Sequence, residues 1–163
     1  MLIELDLDGV RLELPSNTPI LMLRESSGRR RMLPIYIGGP EASSIHFALE
    51  GVLPERPLTH DLFVSLIGVL DVELESIVIT QVIDNTYFAE LHLKGSSGQR
   101  IVSCRPSDAV AIALRAGAPL YATEELMDSV GRQAPDADAD SEEEILDEFR
   151  DFIESIKPED FQG

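Results

Sequence analysis

The chain has 163 residues, 44% hydrophobic and 26% charged, enough for one domain with a real core. A net charge of −17 denies it the Lys/Arg surface that drives non-specific nucleic-acid binding, which argues against a high-affinity general DNA binder. Its apolar runs, such as 109–114, are far shorter than the roughly 20 residues of a membrane span. Its first residues lack a basic-then-apolar signal region, and the single Cys104 permits neither an internal disulfide nor a multi-cysteine metal site. A cytoplasmic protein with no membrane contact is expected.

Residues 2–7 alternate, with Ile3, Leu5 and Leu7 on one face; beyond Asp8-Gly9 the apolar set moves to Val10, Leu12 and Leu14. A side-chain period of two makes this one-step shift a tight hairpin or a bulge at Gly9. Residues 15–19 read as a loop, 20–23 as a strand, 26–28 as a turn and 32–37 as a further strand. Arg29-Arg30-Arg31 could meet a phosphate, but the plainer reading is a solvated hairpin end.

Pro40 and Glu41 suit a first helical turn, and Ala42, Ile45 and Leu49 continue a helix that stops at Gly51. Pro54 and Pro57 forbid its continuation. Thr59 reads as the N-cap of a second helix, with Leu62, Phe63, Leu66, Ile67 and Leu70 as its apolar stripe. Residues 72–83, 87–93 and 100–104 read as a three-stranded meander, turning at Asp84-Asn85 and at 95–98. Ser107 reads as the cap of a short helix ending near Gly117. Residues 119–122 suggest a short edge strand, and 124–130 a short helix.

The sequence QAPDADAD (133–140) is a linker by composition. Its acidic spacing lacks the glycine of a calcium loop. Ser141 and Glu144 form a capping-box pattern before an acidic helix with an apolar stripe. The expected organisation is therefore a domain over 1–130, an acidic linker over 131–140 and an acidic C-terminal helix and tail over 141–163. Residues 124–163 carry −12 of the net charge of −17, and the acidic C-terminal helix could recruit a protein partner.

The chemistry-bearing residues gather at predicted helix starts, where unpaired backbone N–H groups favour anions. Glu41, Asp61 and Asp108 lie in first turns, each with an adequate structural account as a helix-start carboxylate. Ser107 has one as a cap. His60, beside Asp61, is the histidine best placed for function; His46 and His92 read as ordinary helix and strand residues. Arg56 and Arg105 each precede a proline and a helix, where a guanidinium could face a phosphate or pair with the carboxylates. Carboxylates of this kind can hold Mg²⁺ or Mn²⁺, and arginines can stabilise developing charge, which suits phosphodiester hydrolysis.

Five blocks in order give the chain a resemblance: SNTPILML (16–23), LPIYIGGPEA (33–42), ALEGVLPERPLTHDL (48–62), DNTYFAELHL (84–93) and RPSDAVAIALRAGAPLY (105–121). Over residues 1 to 127 it resembles the bifunctional nuclease domain family of bacteria and plants. The resemblance implies a single α+β domain, a mixed or antiparallel sheet of hairpins and meander packed with short helices. It also implies a homo-oligomer and nuclease activity on DNA and RNA. The family's recurrent polar positions fall on Glu41, Glu50, Arg56, Thr59, His60, Asp61, Arg105, Ser107 and Asp108. Many members carry aspartate where this chain has Ser103; if that aspartate binds metal, one ligand is missing here.

The expectation is a metal-assisted nuclease acting on nucleic acid. Glu41, Asp61 and Asp108 would be ligands or bases, and His60 the proton-transfer group. Arg56 and Arg105, with Ser107, would hold the phosphate. The alternative is a non-catalytic binding or regulatory module in which the same residues are caps and ion pairs.

Overall fold

A computed structural model describes residues 1–133; the linker and acidic helix expected beyond them lie outside the described residues. Among the described residues, seven strands and four helices build an α+β domain. In chain order they are β1 (Leu2–Glu13), β2 (Thr18–Glu25), β3 (Met32–Tyr36), α1 (Gly39–Leu49), α2 (Thr59–Val69), β4 (Glu73–Ile83), β5 (Thr86–Gly95), β6 (Gly98–Cys104), α3 (Pro106–Ala116), β7 (Leu120–Thr123) and α4 (Glu124–Val130).

The strands form one mixed sheet in the order β3-β2-β1-β7-β4-β5-β6. The ambiguity at Gly9 is settled as a bulge within one long strand. Leu7 pairs with Leu23, but Gly9 pairs with Met22, and Gly9 has φ of 134°, a conformation that favours glycine. The meander β4-β5-β6 is present as expected. Its first turn is Asp84-Asn85, with φ of 48° and 62°, the twist that a two-residue hairpin needs.

The segment expected as an edge strand is instead the centre of the sheet. β7 pairs antiparallel with β1 and parallel with β4. A parallel neighbour requires a crossover, and the path through α3 supplies it. Leu120 and Ala122 are correspondingly buried.

Helices α1 and α3 pack on the sheet, and α3 is packed against both α1 and α2. Ala109, Val110, Ala111, Ile112 and Ala113 of α3 are all buried; the three alanines let neighbouring helices and strands approach closely. Ile45 of α1 and Ile67 of α2 complete the core. The apolar stripe expected on α2 is only partly used. Ile67 is buried and Phe63 packs against the core, while Leu62, Leu66 and Leu70 are each more than half exposed. The physical reason is that α2 packs chiefly on α3 and not on the sheet.

Two expected caps are displaced, by one residue at α2 and by two at α3. The N-cap of α2 is Leu58, and Thr59 is the first helical residue. The Asp61 carboxylate accepts the Leu58 backbone N–H at 3.0 Å and does the capping that Thr59 was expected to do. At α3 the N-cap is Arg105, because Pro106 with its fixed φ starts the helix. Ser107 is thereby carried past the cap position and is buried.

The triple-arginine end of the β2–β3 hairpin also differs from a solvated turn. Arg31 is buried, with hydrogen bonds to Glu25 at 2.6 and 3.0 Å and to Asp128 of α4 at 2.7 Å. This ties the hairpin to the last described helix, whose Leu126 and Met127 enter the core. No described helix is long and apolar enough to cross a membrane.

Candidate active site

The packing of α1 and α2 against α3 brings their polar positions into one network. His60, in the first turn of α2, lies between the other two helices. Its Nε2 is 2.8 Å from Asp108 Oδ1 on α3, and its Nδ1 is 2.6 Å from Ser44 Oγ on α1. An ionised Asp108 can only accept, so Nε2 carries the proton and, in the neutral ring, Nδ1 accepts from the Ser44 hydroxyl. This is the geometry of a hydroxyl, a base and a carboxylate that orients the base.

Arg105 closes the other side of Asp108. Its Nε donates to Asp108 Oδ2 at 2.8 Å, and one terminal nitrogen donates to Asp108 Oδ1 and Glu41 Oε1 at 3.1 and 3.0 Å. Burial opposes the ionisation of Asp108, but hydrogen bonds from Arg105 and His60 outweigh it and hold the carboxyl below its ordinary range. In return, Asp108 and Glu41 push the Arg105 guanidinium above its already high value. Glu41 leans over Gly38, the N-cap of α1. A methyl group at Gly38 would collide with the Glu41 carboxylate, so glycine there lets Glu41 reach Arg105.

Asp61 is not part of this cluster. Its Oδ1 accepts from Arg115 Nε at 2.7 Å, and Arg115 also donates to the backbone oxygens of Ser44 and Ala111. The Arg115 hydrogen bond, opposed by burial and assisted by the Leu58 N–H, holds Asp61 below its ordinary range. The Asp61–Arg115 pair is thus a brace joining α2 and α3 to the backbone of α1, directly behind Ser44. Arg56 is exposed in the α1–α2 connection, with no hydrogen bond or ion pair among the described residues. Glu50 is exposed at the end of α1.

The proposed metal ligands are therefore not assembled as a trio. Asp61 faces Arg115, while Glu41 and Asp108 share Arg105. Among the described residues no three His, Cys, Asp or Glu side chains are grouped to hold a metal ion. As arranged, these residues do not fit a three-carboxylate metal centre.

Beside the network lies a cavity of about 280 Å³, lined in part by Tyr36, Gly38, Asn85, Tyr87, Arg105 and Ser107. It lies at the first turns of α1 and α3, whose backbone N–H groups favour anions. Burial raises the Tyr87 phenol above its ordinary value. Cys104, at the end of β6, is pushed up to about 11, chiefly by burial and then by the charges of Asp108 and Glu90. It is therefore a thiol at neutral pH and a poor nucleophile.

Two members of the network, Ser44 and Arg115, have no counterpart among the residues singled out from the sequence. The available signal was spacing. Ser44 is three residues after Glu41, and Arg115 seven after Asp108, which places each pair on one helix face.

The family model of the bifunctional nuclease domain matches residues 21–135, and the chain belongs to that family. It is also 41% identical over 161 residues to the uncharacterized protein MT1877 of Mycobacterium tuberculosis strain CDC 1551 / Oshkosh, spanning 95% of each chain. The uncharacterized protein Rv1829 of strain H37Rv matches with the same identity and coverage. Family membership supports a nuclease-related function and contact with nucleic acid.

Proposed function

We propose that the protein hydrolyses phosphodiester bonds, with Arg105 as the phosphate contact and His60 as the proton-transfer group. The observation that carries this reading is the continuous chain Ser44–His60–Asp108–Arg105, whose links are 2.6, 2.8 and 2.8 Å long. Water attacks phosphorus as its proton passes through the Ser44 hydroxyl to His60 Nδ1. The P–O ester bond breaks, and the leaving oxygen is protonated from solvent. Asp108 offsets the charge of the imidazolium that forms. Arg105 faces the incoming phosphate while Glu41 keeps its fork in place.

The test is hydrolysis of single-stranded RNA and DNA by wild type and by His60→Ala and Arg105→Ala purified identically. The expected result is cleavage by wild type and its loss in both variants. Cleavage that survives His60→Ala would overturn the reading. Running the assay with Mg²⁺, Mn²⁺ and EDTA reads metal dependence directly.

A second reading is a non-catalytic binding module. It is favoured by the internal pairing of Arg105 and Arg115 with Glu41, Asp108 and Asp61, which could be their whole purpose. It expects Arg105→Ala to lower stability more than any activity, and a protein partner to be lost on truncation after Val130.

A further inference from the structure

The cavity beside Arg105 contains more than a phosphate needs. At one end are the exposed Arg105, the first turn of α3 and the Ser107 side chain. Ser107, only 5% exposed, also lines the cavity. A hydroxyl at a cavity wall can donate to a phosphate oxygen. The rest of the wall carries two tyrosines, Tyr36 and Tyr87, with Ile35 and Ile37 nearby. Asn85 and Thr86, at the β4–β5 turn, add an amide and a hydroxyl. Two ring systems beside an anion-favouring end match a ligand that joins a planar base to a phosphate.

We infer that this cavity holds one unpaired nucleotide, its phosphate toward Arg105, Ser107 and the first turn of α3, and its base against Tyr36 and Tyr87. The inference rests on the phosphate-contact role proposed above for Arg105. It makes single-stranded nucleic acid the substrate class of the site. A base within a duplex is already stacked and paired, and must be extruded at a cost before it can meet a tyrosine ring. Stacking of this kind tolerates any sequence. The net charge of −17 also disfavours the densely charged duplex more than a flexible strand.

The test is calorimetric titration of the full chain with adenosine 5′-monophosphate and with ribose 5-phosphate, which shares the phosphate and sugar but lacks the base. Neither probe contains a phosphodiester, so binding is read independently of hydrolysis. The mononucleotide is expected to bind about tenfold tighter than the sugar phosphate, the contribution of roughly one stacked base. Tyr36→Leu and Tyr87→Leu should erase that difference, while Tyr87→Phe, which keeps the ring, should retain it. Ser107→Ala should weaken both probes alike. Equal affinity for the two probes, or a preference that survives both leucine variants, overturns the inference. Base-dependent binding without strand cleavage would leave the inference standing and remove the hydrolase reading. Cleavage abolished by His60→Ala with no base preference would do the reverse.

Discussion

Two arginine–carboxylate clusters at different depths show how one chemistry serves two purposes. Arg31 bonds Glu25 and Asp128 with its side chain only 6% exposed. Arg105 bonds Asp108 and Glu41 with its side chain 63% exposed. The first pair is screened from water, so each charge depends on its partner and the cluster acts as a strut between the β2–β3 hairpin and α4. The second keeps most of its cation facing solvent, where a ligand phosphate can approach without first displacing protein. Arg115, at 10% exposure and bound to Asp61, resembles the strut although it stands behind the candidate site.

The comparison is broken most severely at its buried member. Arg31→Met leaves the buried Glu25 carboxylate without its partner and should cost about 3–5 kcal/mol, measured by urea unfolding. A cost under about 1 kcal/mol would mean that the strut is dispensable.

The same strut should sharpen with pH. Burial alone would raise Glu25, but side-chain and backbone hydrogen bonds from Arg31 prevail and lower it. A carboxyl lowered in the fold contributes stability above its unfolded value, near pH 4, and loses it as pH falls through the folded one. The stability difference between wild type and Glu25→Gln should therefore be full at neutral pH and shrink on acidification below about pH 4. A difference that widens in acid would mean that Glu25 is neutral in the fold.

Arg115→Ala is intermediate. It removes the brace from partly buried Asp61 and from the Ser44 carbonyl, and should cost about 1.5–3 kcal/mol in the same unfolding assay. Because the brace fixes the backbone behind Ser44, hydrolysis should fall as well. Unchanged hydrolysis would separate Ser44 from the reaction.

Much of this arrangement was legible in the sequence, and the missing parts share one cause. Strand period and turn residues located β1, β2 and the meander, and Pro40 located the start of α1. These are local signals. Nothing local distinguishes Arg31 from Arg29 and Arg30, because burial depends on the distant α4. The short apolar run of β7 shows that it is a strand but not which strands flank it, since its parallel partner is reached only through α3. His60, Asp108, Glu41 and Arg105 were readable as candidates because helix starts gather polar groups. Ser44, a mid-helix serine, and Arg115, a last-turn arginine that the helix dipole explains, gave no such signal. Their roles exist only once three helices pack together.

The smallest expected effect on stability belongs to Arg105→Ala. An exposed arginine bridging two carboxylates contributes little in water, because its charge is solvated in either state and its long side chain loses entropy when held; the cost should be under about 1 kcal/mol. Its effect on function should be the opposite, a loss of hydrolysis and of nucleotide binding. Arg105→Lys separates charge from shape. Lysine keeps the cation but presents a single point, so it cannot span Asp108 and Glu41 while facing a phosphate. It should therefore preserve stability and retain only a minor part of the activity. Wild-type activity in Arg105→Lys would mean that only a positive charge is needed. A stability loss in Arg105→Ala as large as that in Arg31→Met would mean that depth does not separate the two clusters, and that Arg105 is a strut like the other.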